Sequence, residues 1–190
     1  MDAGLAKVIN STIGTDSFRP LDKLLYGRQG LVPSENEYFK IGTFEEKSAT
    51  VSVTSTKTVS AYGAPILSMK MWTDGGISLG ATPYFGISTS GSWTMSISGG
   101  IAVFVNGTLI MTGTTSISGT VSGASQGSAV KCENIYFSAG DVVEIKPYIS
   151  GRKDSTNSSA VDLYCKILST CPIVVYANSV EKPFDITYAE

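Results

Sequence analysis

From about Glu46 onward apolar residues recur at alternate positions in short runs, and the runs are separated by Gly, Ser, Asn and Asp. The runs are SATVSVTS, APILSMKMW, TPYFGIST, SWTMSIS, IAVFVN, TLIMTG, SISGTVSG, SAVKCENIYF, DVVEIKPYI, AVDLYCKIL and PIVVYA. Turn signals fall between them at Asp74-Gly-Gly, Ser90-Gly-Ser, Ser98-Gly-Gly and Gly140-Asp. Strands at this spacing predict a sandwich, barrel or jelly roll, and no helix-length periodic segment interrupts them to build a parallel sheet. The expected fold class is therefore all-β: an antiparallel β-sandwich of jelly-roll type spanning residues 46–190. Residues 150–160, SGRKDSTNSSA, are the most polar segment and predict an exposed loop.

One run raises a question about surfaces. Asn106-Gly107 between Ile101–Val105 and Thr108–Met111 is a strong hairpin signal, because both central residues of a type I′ turn need positive φ. Strict alternation puts Ile101, Val103 and Val105 on one face of the first arm, with Ala102 and Phe104 on the other. On the second arm it sets Leu109 and Met111 against Thr108, Ile110 and Thr112. Neither face carries a charge, so the second face needs a cover, and a second chain is the working expectation. Phe104, Leu109 and Met111 are accordingly candidate interface residues.

Residues 1–45 read differently. In DSFRPLDKLLYGRQG, Asp16 or Ser17 can cap a helix, Pro20 suits its first turn, Leu21, Leu24 and Leu25 form one apolar stripe, and Gly27 stops it. That predicts one short helix within an extended N-terminal arm. The arm cannot bury Phe18, Leu24, Leu25, Tyr26, Tyr38 and Phe39 by itself; it docks either on its own sandwich or on a neighbouring subunit, with Phe18, Leu21, Leu24, Leu25 and Tyr26 as the candidate anchors.

Composition fits many short strands and tight turns: charged residues make up 16% of the 190, there are 20 glycines, and Ser with Thr make up roughly a quarter. A net charge of −2 gives no footprint for nucleic acid or an anionic membrane. The N-terminus lacks a basic segment followed by an apolar run, and no stretch approaches about 20 apolar residues, so the expectation is a protein made in the cytoplasm without a signal peptide. Cys132, Cys165 and Cys171 form no CxxC pair; Cys165 shares a strand face with Val161, Leu163 and Ile167 as a small buried hydrophobe, and a Cys165–Cys171 bridge stays open.

The chain contains no histidine, which removes Ser-His-Asp and Cys-His catalysis and most zinc sites. Its carboxylates are scattered singly among turns or, as at Glu45 and Glu46, point to opposite strand faces, which suits neither glycoside cleavage nor a calcium loop. No catalytic, cofactor-binding or metal-binding residue is expected, and no enzymatic activity. What remains is binding: Trp72, Tyr84 and Trp93, beside hydroxyl-bearing residues, are candidates for stacking on a sugar.

The segment FSAGDVVEIKPYI, Phe137–Ile149, resembles the penultimate strand of the trimeric jelly rolls related to tumour necrosis factor and complement-type globular heads. The resemblance implies a homotrimer with apolar strand faces near a threefold axis. The texture of the whole chain also resembles small virion proteins of tailed bacteriophages, which implies a decoration or fibre-head protein attached through its arm. The expected function is that of a non-enzymatic structural component of a phage particle, a homotrimer bound to other virion proteins. The alternative is a receptor- or glycan-binding tip that recognises a host glycan.

Overall fold

A computed structural model describes residues 38–41, 44–156, 159–170, 173–177 and 184–188, and every regular element among them is a strand. In chain order these are β1 (Tyr38–Ile41), β2 (Ser48–Val53), β3 (Val59–Tyr62), β4 (Leu67–Met71), β5 (Gly75–Ala81), β6 (Pro83–Ile87) and β7 (Trp93–Val105). They continue as β8 (Thr108–Val121), β9 (Ala124–Gln126), β10 (Val130–Phe137), β11 (Val142–Lys153), β12 (Val161–Ile167), β13 (Ile173–Ala177) and β14 (Phe184–Tyr188). The short helix and the anchors Phe18, Leu21, Leu24, Leu25 and Tyr26 expected in the arm lie outside the described residues. Tyr38–Ile41, on the arm side of the boundary expected at residue 45, is a strand paired with β13.

All pairing is antiparallel. One layer, sheet I, has the order β1-β13-β5-β10 at one end and β2-β12-β6-β9 at the other. These ends are formed by the same four chain segments, each broken near its middle: only Thr82 separates β5 from β6, and the Gly127 N–H, between β9 and β10, donates to the Pro83 carbonyl at 2.8 Å. The other layer, sheet II, has the order β14-β4-β11-β7-β8, with β3 continuing β4 along the flank of β11. Taking each broken strand as one gives eight long strands. Sheet I then runs first-eighth-third-sixth and sheet II second-seventh-fourth-fifth, which is the strand order of a jelly roll, with β14 added at one edge. Phe137–Ile149 closes the sixth long strand and forms most of the seventh, the penultimate one.

Alternation explains the core. Inward positions of both sheets meet in two clusters, one built on Met69, Ile77, Leu79, Ile101, Val103 and Ile145, the other on Phe85, Met95, Ile97, Ile149, Leu163 and Cys165. Burying these side chains, at about 25 cal/mol per Å² of apolar surface, is the main force holding the layers together.

Three readings of the sequence need correction. Ser98-Gly99-Gly100 is not a turn but the middle of the 13-residue β7, whose partner β8 is equally unbroken. The glycines are there for packing: a Cβ on Gly99 would stand 2.3 Å from Phe85 Cγ, and one on Gly100 would stand 1.9 Å from the Gly113 carbonyl oxygen. Secondly, Ser150–Lys153 belongs to β11, with Gly151 and Lys153 buried, so the polar loop begins at Asp154. The third concerns the hairpin. Its turn is as expected, with φ of 49° at Asn106 and 77° at Gly107. However, Phe104 pairs with Leu109 while Val103 pairs with Met111, so Ile110 is the extra residue of a bulge. Leu109 therefore shares the outer face with Phe104, and Met111 turns inward against the core.

Replacing Gly100 by Ala forces a methyl group into the β8 backbone and is expected to lower stability by about 1–3 kcal/mol, the usual cost of overpacking. Gly80→Ala, whose added Cβ meets nothing nearer than 3.8 Å, should stay within about 0.5 kcal/mol of the parent. Urea unfolding of the two variants checks the contrast, and equal midpoints would contradict the packing role.

Candidate functional site

At one end of the sandwich three turns meet, two of them tied together through the Asp141 carboxylate and the third joined by backbone bonds. The Asn106 side-chain amide donates to Asp141 Oδ1 at 2.7 Å, and its carbonyl oxygen accepts the Val142 N–H at 2.9 Å. The Ser138 N–H donates to Asp141 Oδ2 at 2.7 Å, closing the β10–β11 turn around Gly140 at φ 91°. The β4–β5 turn joins through its backbone, with Met71 N–H on the Asp141 carbonyl and Gly140 N–H on the Met71 carbonyl, each at 2.9 Å. Asp74 adds a bond from the Ala139 N–H at 2.9 Å. The turn expected at Gly140-Asp thus works as a clamp on the hairpin tip.

The clamp holds up a surface with an unusual share of exposed large apolar side chains. Trp72 is 55% exposed, Leu109 40% and Ile110 47%, with Val142 and Tyr62 comparably open. Sheet II supplies the floor between them. Phe104 is half-buried, covered on the outer face by the Tyr62 ring at 5.3 Å, edge-on, and by Lys146 Nζ at 4.4 Å from its centroid. Tyr62 in turn meets Tyr148 at 5.4 Å. This answers the question posed by the two-faced hairpin: Ile101, Ala102 and Val103 are fully buried within one chain, and only the tip beyond Phe104 lacks a cover among the described residues.

The other half of the same face is different. Along β7 and β8 the outward pairs are Thr94 with Thr120, Ser96 with Ser118 and Ser98 with Ser116, the last joined hydroxyl to hydroxyl at 2.7 Å.

The structure does not bring the three expected sugar-stacking residues together. Trp72 stands beside the clamp. Trp93 is at the far end of β7, half-buried, with its Nε1–H on the Ser90 carbonyl at 3.4 Å and Lys153 Nζ 5.3 Å from its ring. Tyr84 lies on the outer face of sheet I, its hydroxyl donating to the Ala124 carbonyl at 3.3 Å and its ring 6.3 Å from Tyr164. Of the expected interface residues in the described region, Phe104 and Leu109 share the exposed face and Met111 does not. Among the thiols, burial pushes Cys132 up to about 11 and Cys165 up to about 12, so both are protonated at neutral pH and serve as packing. Cys165 is a free, buried thiol that donates to the Gly100 carbonyl; Cys171 lies outside the described residues.

Sequence reading also passed over a cavity of about 400 Å³ on sheet I, lined by Thr50, Val51, Ser52, Ser88, Asp162 and Leu163. Asp162 sits directly opposite Ser52 across β12 and β2, and the Ser52 hydroxyl donates to Asp162 Oδ1. The Asp162 N–H donates to Thr89 Oγ1 at 2.8 Å, and its carbonyl accepts from both the amide and the hydroxyl of Ser88. Outward polar residues on a strand whose inward positions are Val161, Leu163 and Cys165 were the available signal.

No protein-family model matches the chain, and no curated protein matches it. Among solved structures it is similar to Eiger, a tumour necrosis factor from S. frugiperda, at 12% identity and a TM-score of 0.36 over 77% of this chain and 95% of that one. It is similar to a chain of infectious bursal disease virus, Gx strain, at 13% identity and 0.33, over 78% of this chain and 39% of that one. Murine APRIL gives 11% identity and 0.23, over 65% and 100%. At such scores the jelly-roll assignment rests on the strand order of the chain itself.

The clamp has a pH signature. The Asp141 carboxyl is held below its ordinary value first by the Ser138 N–H and then by the Asn106 amide. A carboxylate lowered in this way contributes fully above its unfolded pKa of about 3.9 and loses its contribution as pH falls through the folded value. Glu46, lowered mainly by the Ser169 N–H and Lys166, acts in the same sense. Asp141→Asn should therefore be less stable than the parent at neutral pH, with the difference narrowing in acid. Urea unfolding at pH 7 and pH 3 reads this directly, and an equal difference at both values would contradict the clamp.

Proposed function

We propose that this chain is a non-enzymatic structural component of a phage particle, a jelly-roll subunit that assembles with copies of itself as a homotrimer. In this reading it attaches to other virion proteins through residues 1–45, and it resides in the virion after synthesis in the host cytoplasm. The observation that carries the reading is the apolar tip: Trp72, Leu109, Ile110 and Val142 are exposed around a rigid hydrogen-bonded clamp rather than scattered. Contiguous exposed apolar residues on a firm scaffold are what an interface between subunits requires. A second feature points the same way. β8, the 14-residue edge strand of sheet II, carries no charged residue, although edges of that length are usually guarded by Lys, Asp, Glu or Pro.

Light scattering on a sizing column, over a wide concentration range, is expected to give the mass of three protomers. Ile110→Asp, a change at an exposed bulge position, should shift the mass towards one protomer while leaving the unfolding midpoint near that of the parent. A monomer at every concentration would overturn the reading. Removing residues 1–30 is expected to abolish attachment to particles with the β domain still folded; retained attachment would remove the arm from the mechanism.

A further inference from the structure

The Asp162 cavity lies on sheet I, away from the clamp, and its chemistry differs from that of the apolar tip. Three hydroxyl side chains and one carboxylate line it, all exposed, and the two remaining lining residues, Val51 and Leu163, turn their side chains inward to the core. Its volume of about 400 Å³ falls in the range of small-molecule sites, roughly 300–1,000 Å³. Asp162 is an exposed residue held by several hydrogen bonds. Its backbone is fixed on both sides by Thr89 and Ser88, and its Oδ1 is taken by Ser52, while Oδ2 has no hydrogen-bond partner among the described residues. A carboxylate oriented in this way, flanked by Thr50 and Ser88, presents acceptors and donors spaced along a sheet face. At the next outward position β12 carries Tyr164, with Thr50 opposite it on β2 and the Tyr84 ring 6.3 Å away.

We infer that this cavity binds a neutral saccharide, with Asp162 accepting from hydroxyls of the sugar and Thr50, Ser52 and Ser88 completing the polar contacts. An anionic ligand is disfavoured by the carboxylate, because no Lys or Arg lines the cavity. A drug-like apolar ligand is disfavoured because the outward side chains that line the cavity are three hydroxyls and a carboxylate. Vicinal diols match a fixed carboxylate through charge-assisted hydrogen bonds, which are the stronger class. The inference stands apart from the assembly reading, since it uses a different sheet and different residues.

Saturation-transfer NMR and calorimetry on the full chain, with maltose, lactose and chitobiose as probes, test it. At least one disaccharide is expected to bind in the millimolar range. Asp162→Asn should weaken that binding by tenfold or more, and Thr50→Val, which keeps the shape and removes a hydroxyl, by severalfold. Thermal unfolding confirms that each variant is folded, and Thr50→Val decides the matter if Asp162→Asn is not. No binding of any of the three probes by the parent would overturn the inference. Binding undiminished in a folded variant, or calcium binding at these residues without saccharide binding, would do the same.

Discussion

Phe85 reaches across the sandwich from sheet I and comes to rest over a position in sheet II that has no side chain. A Cβ on Gly99 would fall 2.3 Å from its ring, and one on Gly127 would fall 2.7 Å from it, so the largest fully buried side chain among the described residues fills the space left by two glycines. Close packing of this kind leaves no slack, because a single added methyl has nowhere to go without moving backbone. The consequence runs along β7. Since Gly99 and Gly100 continue the strand, Met95, Ile97, Ile101 and Val103 keep one phase and all point inward. The long β7–β8 hairpin then projects as one rigid unit to the clamped tip.

The alternation of apolar residues made most of this legible beforehand. The inward sets Ile101–Val103, Val161–Leu163–Cys165 and Val143–Ile145 follow directly from a period of two, as does the Asn-Gly turn from its need for positive φ. Glycine, by contrast, was ambiguous. It reads as a turn signal at Gly99-Gly100, where it serves close approach. It also hid β5, whose outward positions Gly76, Ser78 and Gly80 leave only Ile77 and Leu79 as strand-like residues. The bulge at Ile110 could not be read from the sequence, because one extra residue changes every face assignment before it without altering composition.

Features built from distant residues had no local trace. Asn106 and Asp141 are 35 residues apart and meet because the fifth and seventh long strands flank the fourth. Ser52 and Asp162 are 110 apart and are neighbours only through the pairing of the first strand with the eighth. A jelly roll closes the chain on itself in this way, so its surfaces are assembled from both halves of the sequence. The segment from Gly75 to Val130 contains no charged residue at all, and it supplies β5 to β9, including the exposed edge β8 and the apolar hairpin tip. Charge lies outside this segment: on the outer face of sheet II it is carried by Lys70, Glu144 and Lys146, the last two an ion pair at 3.2 Å beside Phe104, so the apolar tip is bordered by charge on its β4 and β11 side.

The central claim is that the clamped apolar tip is covered by copies of the same chain. Hydroxyl-radical footprinting of the full chain at high and low protein concentration, read by mass spectrometry, tests it most directly. Trp72, Tyr62 and Leu109 should be protected at high concentration and become reactive on dilution. Tyr136, 72% exposed on the opposite sheet, should react equally at both. Equal modification of Trp72 and Leu109 at every concentration, or protection of Tyr136 in their place, would contradict the account.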